Sequence, residues 1–96
     1  MSYFIAQINI HDPETYQQYV EGFYEVFDRY QGEVVLVDDN PKAIEGTLQY
    51  NRIVVIRFPN ENELHRWYDS PEYQQLARIR WKASDAYILS ATDARA

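Results

Sequence analysis

The chain has no cysteine, which removes disulfides, thiolate nucleophiles and thiolate metal ligands and leaves the redox compartment unmarked. Its glycines number three, Gly22, Gly32 and Gly46, too scattered to build a phosphate-cradling loop. Basic residues are scarce: nine Lys and Arg stand against fifteen Asp and Glu, for a net charge of −6. A phosphate-backbone partner needs clustered cations to displace counterions, so no nucleic acid is expected. An RNA-binding sheet would also need the RNP aromatic pattern, which is missing. No apolar run approaches the roughly 20 residues of a membrane span. Met1 to Ile5 lacks the charged start and long apolar core of a signal peptide, so no membrane contact and a cytoplasmic location are expected. The two histidines, His11 and His65, fall in no metal-ligand spacing; neither metal nor organic cofactor is expected.

What is plentiful is aromatic surface: nine tyrosines, four phenylalanines and two tryptophans in 96 residues. One domain spanning residues 1–96 is of modest core size. That aromatic load exceeds what a small two-layer core uses, so part of it is expected at an interface or in a pocket.

The chain is organised around residues 52–83. Ile53 to Ile56 is a continuous β-branched run suited to a central strand, and Phe58-Pro59 stops it, because proline cannot donate to a ladder. Asn60 caps a short helix with Glu63 in capping-box position. Ser70-Pro71-Glu72 opens another, with cap, proline and acid in order. Asp12-Pro13-Glu14 repeats that opening, and its helix carries an apolar stripe of Tyr16, Val20, Phe23, Phe27 and Tyr30. Gly32 is the expected left-handed C-cap. Gly22, mid-helix, either allows close approach of another backbone or is merely tolerated there.

Alternation marks Tyr3 to Ile10 as a strand. Glu33 to Val37 is a second, Ala43 to Gly46 a short return strand after the turn at residues 38–41, and Tyr87 to Thr92 the last. Residues 93–96 are expected to fray. The order is that of an α+β, ferredoxin-like βαββαβ split sandwich, with an antiparallel sheet of order 4-1-3-2 and helices on one face. Phe4, Ala6, Ile8 and Ile10 are expected to face the helices, while on the central strand Val54, Ile56 and Phe58 share one face and Ile53, Val55 and Arg57 the other. Both faces of that strand are largely apolar near its start, and Tyr3, Ile5 and one alternating set of the last strand, Tyr87/Leu89 or Ile88, add to the side away from the helices. An apolar face above roughly 400 Å² seldom stays bare on a soluble monomer, so a homodimer through the sheet faces is expected.

Several stretches carry a resemblance: Asp12-Pro13-Glu14 followed by Tyr16, Glu45-Gly46, Val54-Val55-Ile56 through Phe58-Pro59, and above all Tyr68-Asp69-Ser70-Pro71-Glu72-Tyr73-Gln74. Over nearly its whole length the chain resembles a family of small bacterial proteins designated domain-of-unknown-function family 1330, within the dimeric α/β-barrel superfamily. The resemblance implies a ferredoxin-like subunit, face-to-face pairing and a cleft between sheet and helices. The chain departs from the family pattern at Arg57, where an acid is usual, and in closing on Ser90-Ala91-Thr92.

The candidate ligand-binding residues are His11, Tyr16, Tyr19, Glu45, Trp67, Tyr73 and Arg80. Arg80 falls on the inward stripe with Tyr73, Leu76 and Ala77. A buried guanidinium requires an acceptor, either Glu45 in a structural ion pair or a ligand carboxylate or enolate oxygen. Glu45, if buried, could act as a base. His11 sits at a strand end, where loops form sites; His65 is read as solvent-facing. Tyr16, Tyr19, Trp67 and Tyr73 form either core or an apolar pocket with polar tips. Arg78 and Lys82 read as a solvated helix end. Two functions stay open: a cofactor-independent enzyme acting on a small molecule in the cleft, as oxygenases or isomerases of similar architecture do, and a non-catalytic dimeric binding or stress-associated module.

Overall fold

Three two-residue links, at residues 11–12, 59–60 and 69–70, and two proline-opened helices wind this chain into a four-stranded sheet with one long connection, over residues 39–51. The computed structural model describes residues 1–94. The elements are β1 (Ser2–Ile10), α1 (Pro13–Phe27), β2 (Glu33–Asp38), β3 (Arg52–Phe58), α2 (Glu61–Tyr68), α3 (Pro71–Ala83) and β4 (Ser84–Thr92). The sheet is antiparallel with spatial order β2-β3-β1-β4, the expected 4-1-3-2 read from the other edge. The principal extents of 33 × 31 × 16 Å are those of one helix layer on one sheet. Among the described residues no helix is long and apolar enough to cross a membrane.

The caps work as their residue types dictate. Asp12 accepts the Thr15 backbone N–H at 3.2 Å and its hydroxyl at 2.7 Å, and both bonds hold its carboxyl below the usual range. Asn60 accepts the Glu63 N–H at 2.9 Å; the Glu63 carboxylate turns instead to Arg66, so only half of the capping box forms. Ser70 donates to the Trp67 carbonyl and accepts the Tyr73 N–H, joining α2 to α3 at a sharp bend. Ser84, whose hydroxyl donates to the Arg80 carbonyl, passes from helix to strand without a loop. β4 therefore begins three residues before Tyr87.

Strand register sorts the two faces. Phe4 pairs with Ile56 and Ala6 with Val54 across β1–β3, and Ala6 with Ile88 across β1–β4. Phe4, Ala6, Ile8, Ile56 and Phe58 are buried under the helices. On the opposite face Ile5 lies between Val55 and Leu89, and Gln7 between Ile53 and Tyr87. A bulge between Val34 and Leu36 in β2 brings Leu36 opposite Val55, extending this outer apolar strip to the edge.

Three sequence expectations are corrected. Residues 43–46 form no strand: Ile44 is 97% exposed, with no sheet face to occupy, and Gly46 at φ +82 turns the chain within an irregular connection over residues 39–51. That connection is tied at its ends. The Asn51 side chain accepts from the Ile10 N–H at 2.9 Å and donates to the Ile10 carbonyl at 3.1 Å, and Asp39 pairs with Arg52. Gly32 is not left-handed, since Gly46 alone among the described residues has positive φ. The helix ends earlier, at Phe27, with Asp28 as its C-cap, and Gly32 sits where two buried rings leave no room for a side chain. A Cβ there would sit 2.5 Å from Phe27 Cζ and 2.7 Å from Phe58 Cε1. Gly22 meets a side chain, Leu76 Cδ1 at 2.8 Å, rather than a backbone. The expected fraying of residues 93–96 is partly testable: Asp93 pairs with the N-terminal amine at 3.4 Å, while residues 95–96 lie outside the described chain.

The two glycines give a contrasted prediction. Gly32→Ala forces apart rings with no free side to move into and should lower unfolding free energy by about 1–3 kcal/mol. Gly22→Ala meets a half-buried leucine able to change rotamer and gains up to about 1 kcal/mol of helix propensity, so it should be neutral or stabilising. Urea titration of both variants separates the cases; an equal loss in Gly22→Ala would mean that Leu76 cannot move aside, and no loss in Gly32→Ala that the rings can.

Candidate functional site

Helix α1 stands off the sheet along one side, and the space beneath it is the site. A cavity of about 130 Å³ lies between α1, α3 and the inner sheet face, close to the roughly 150 Å³ at which an apolar cavity admits a benzene ring. Its floor is Phe4, Ala6 and Ile8 of β1 with Val54 and Ile56 of β3; its roof is Tyr16, Tyr19, Val20 and Phe23 of α1. Tyr73 and Arg80 of α3 close one side, and exposed Tyr24 and Val37 mark the open one, between α1 and edge strand β2. The cavity explains why Val20 and Phe23 are only partly buried although they lie on the expected stripe. The buried set on α1 is Tyr16, Tyr19 and Phe27.

Four of the seven residues singled out in the sequence, Tyr16, Tyr19, Tyr73 and Arg80, come together on this cavity. Trp67 lies beside it without lining it. Its indole is fully buried, edge-on to Phe4 at 5.0 Å, stacked on Phe58 at 5.6 Å and 4.3 Å from the Tyr73 ring. His11 is exposed in the β1–α1 turn, its backbone N–H donating to the Ala83 carbonyl. Glu45 is exposed in the 39–51 connection. Arg80 therefore does not form the ion pair with Glu45 that its burial suggested, because the segment carrying Glu45 leaves the sheet instead of returning along it. His65 is exposed between Glu61 and Asp69, and Arg78 and Lys82 are exposed on α3.

Arg80 is 3% exposed, and among the described residues no carboxylate pairs with it. Its guanidinium carbon lies 5.9 Å from the centre of the Tyr19 ring, and its Nη2 has no hydrogen-bond partner. Burial opposes its charge, and the oxygens of Tyr73 and Tyr19 more than offset this; a guanidinium stays protonated in any case. The Tyr19 and Tyr73 hydroxyls are 2.8 Å apart. That bond uses one hydroxyl hydrogen and leaves the other for a ligand. Burial raises all three tyrosines, Tyr19 most; Arg52 and Arg80 pull against the rise at Tyr16, and Arg80 chiefly at Tyr73. Each is a neutral donor at neutral pH. Among the described residues no aspartate, glutamate or histidine lines the cavity. The site can hold an anion or an enolised carbonyl on fixed donors, and it presents no side chain suited to take a proton at neutral pH.

Arg52 was not singled out in the sequence, yet it lines the same cavity. The signal was available: period two from Val54, Ile56 and Phe58 puts Arg52 on the inward face. Its guanidinium carbon lies 5.4 Å from the Tyr16 ring centre, and Asp39 holds its Nη1 at 2.5 Å.

Comparison with known proteins agrees with this architecture. A family described as "Domain of unknown function (DUF1330)" matches residues 1–92. No curated protein matches the chain. Among solved structures, a protein of unknown function from Rhodopseudomonas palustris is 15% identical with a TM-score of 0.79, the match covering 99% of this chain and 83% of that one. SnoaB, a cofactor-independent oxygenase from Streptomyces nogalater, is 15% identical with a TM-score of 0.67, covering 99% and 94%. A protein from Thermobifida fusca described as a dimeric ferredoxin-like protein of unknown function is 16% identical with a TM-score of 0.68, covering 96% and 90%. These identities establish a shared fold and no shared chemistry.

Proposed function

We propose that this chain, which belongs to the DUF1330 family, binds a ring-sized apolar molecule bearing a carboxylate or enolate oxygen in the cavity beneath α1. The observation that carries this reading is Arg80: a buried guanidinium, without a carboxylate partner among the described residues, on the wall of an apolar cavity. Burial of such a charge is costly; tyrosine oxygens offset it in the free protein, and a ligand oxygen would supply the acceptor that Nη2 lacks. With no acid or imidazole on the lining, the cavity favours binding, or stabilisation of an anion that the substrate forms by its own acidity, over side-chain base catalysis. Enzymatic use without a cofactor, as SnoaB is described, would have to take that form.

The reading includes pairing of two copies through the outer sheet face. Tyr87, 74% exposed, and half-exposed Leu36 and Leu89 surround Ile5, Ile53 and Val55 there, and one structural relative is described as dimeric.

Benzoate is the test ligand for the cavity, followed by two-dimensional NMR. It should shift resonances of Tyr16, Tyr19, Tyr73 and Arg80, whereas toluene, which lacks the oxygens, should bind more weakly. Affinity should be flat between about pH 6 and 9, because the raised tyrosines and the arginines keep their protons throughout that range. Equal binding of toluene, or shifts confined to other residues, would refute the assignment. Sedimentation at micromolar concentration should give twice the chain mass of 11.5 kDa; a monomer would remove the pairing.

A further inference from the structure

Arg80 approaches the cavity from the helix layer; Arg52 approaches it from the sheet. Each guanidinium lies over one tyrosine ring, Arg52 over Tyr16 and Arg80 over Tyr19, and these two rings are 5.4 Å apart between centres. Each has one buried nitrogen with no hydrogen-bond partner, Nε of Arg52 and Nη2 of Arg80. Asp39 answers only Nη1 of Arg52 and is itself largely exposed. One carboxylate satisfies one guanidinium fork. A ligand with a single acidic group would therefore leave the second buried N–H unanswered.

From these two orphan donors on residues lining one ring-sized cavity, one borne by β3 and one by α3, we propose that the ligand carries two oxyanion groups, one for Arg80 and one for Arg52. Its class is that of planar aromatic diacids and hydroxy acids or their enolised 1,3-dicarbonyl equivalents. The assignment rests on the reading of the cavity as a small-molecule site and adds to it the second acceptor. Arg52 is then a specificity-determining residue, and Asp39 is an internal competitor for it.

Calorimetric titration of the full chain with benzoate and with phthalate, isophthalate and terephthalate tests this. The best of the three diacids should bind at least tenfold tighter than benzoate. In Arg52→Met that ratio should fall to within threefold of one. In Asp39→Asn it should rise, because Nη1 is released to the ligand. A ratio near one in the unaltered chain, or a preference that survives Arg52→Met, would overturn the proposal. So would an equal loss of benzoate and diacid in Arg52→Met, which would mean that one carboxylate bridges both arginines. Binding of neither benzoate nor any diacid would refute the cavity reading itself, a distinct failure. If Arg52→Met does not fold, Asp39→Asn decides alone: a ratio unchanged or lowered there overturns the assignment.

Discussion

Replacing Arg80 with methionine should cut benzoate affinity at least about 30-fold while leaving the protein as stable as before, or up to about 2 kcal/mol more so. The affinity term follows from the loss of hydrogen bonds to a charged group, worth roughly 1.5–3 kcal/mol each. The stability term runs against intuition, because truncating a buried charged residue that sits in an ion pair costs about 3–5 kcal/mol. Here there is no carboxylate to strand. The guanidinium faces tyrosine oxygens and the Tyr19 ring, and its Nη2 is unanswered. Methionine fills similar volume without the desolvation cost and gives up a cation–π contact of about 1–2 kcal/mol. A gain in stability with a loss of binding is the mark of a functional residue held at the expense of the fold. Urea unfolding with an unchanged slope measures the first quantity and calorimetry the second. A stability loss of 3 kcal/mol or more would mean that Arg80 is structural after all.

Trp67→Ala should be the most damaging single change in the described chain, lowering unfolding free energy by about 3–5 kcal/mol, a large part of the 5–15 kcal/mol typical of a domain. The indole is fully buried and joins α2 to the sheet through Phe4 and Phe58 and to α1 through Phe23 and Phe27. Removing it opens a void bounded by stiff rings that cannot close in. Its Nε1, however, has no hydrogen-bond partner. Trp67→Phe removes that orphan along with part of the volume, so it should cost less than about 2 kcal/mol. Urea midpoints of the two variants measure the difference. If Phe were as costly as Ala, the indole nitrogen would have to be satisfied, and Trp67 would belong with the polar groups of the site.

The behaviour of Arg80 and Trp67 shows where sequence reasoning held and where it stopped. Both were read as inward-facing from helical spacing, and both are buried. The spacing could not distinguish a residue on the cavity wall from one in the packed core next to it, because both occupy the same face of their helices. Arg80 was offered Glu45 as a partner on the expectation of a return strand over residues 43–46. That strand does not form, and the carboxylate went with it into solvent. Gly32 was read as a left-handed cap from its place after a helix. It is needed instead for room beside Phe27 and Phe58, a demand made by a ring from β3, twenty-six residues further along the chain.

The sequence by itself determined the sheet order, the element order apart from the strand expected over residues 43–46, the caps at Asp12, Asn60 and Ser70, and the helix-facing set of β1. All of these depend on contacts within a few residues or on a period of two or 3.6, and such regularities are written locally. Only the tertiary structure decided that α1 stands clear of the sheet over a ring-sized cavity, that Arg52 and Arg80 meet there without a shared carboxylate, and that Trp67 belongs to the core. These are distances between elements, set by how whole side chains fill or fail to fill the space between layers, and no local pattern encodes them.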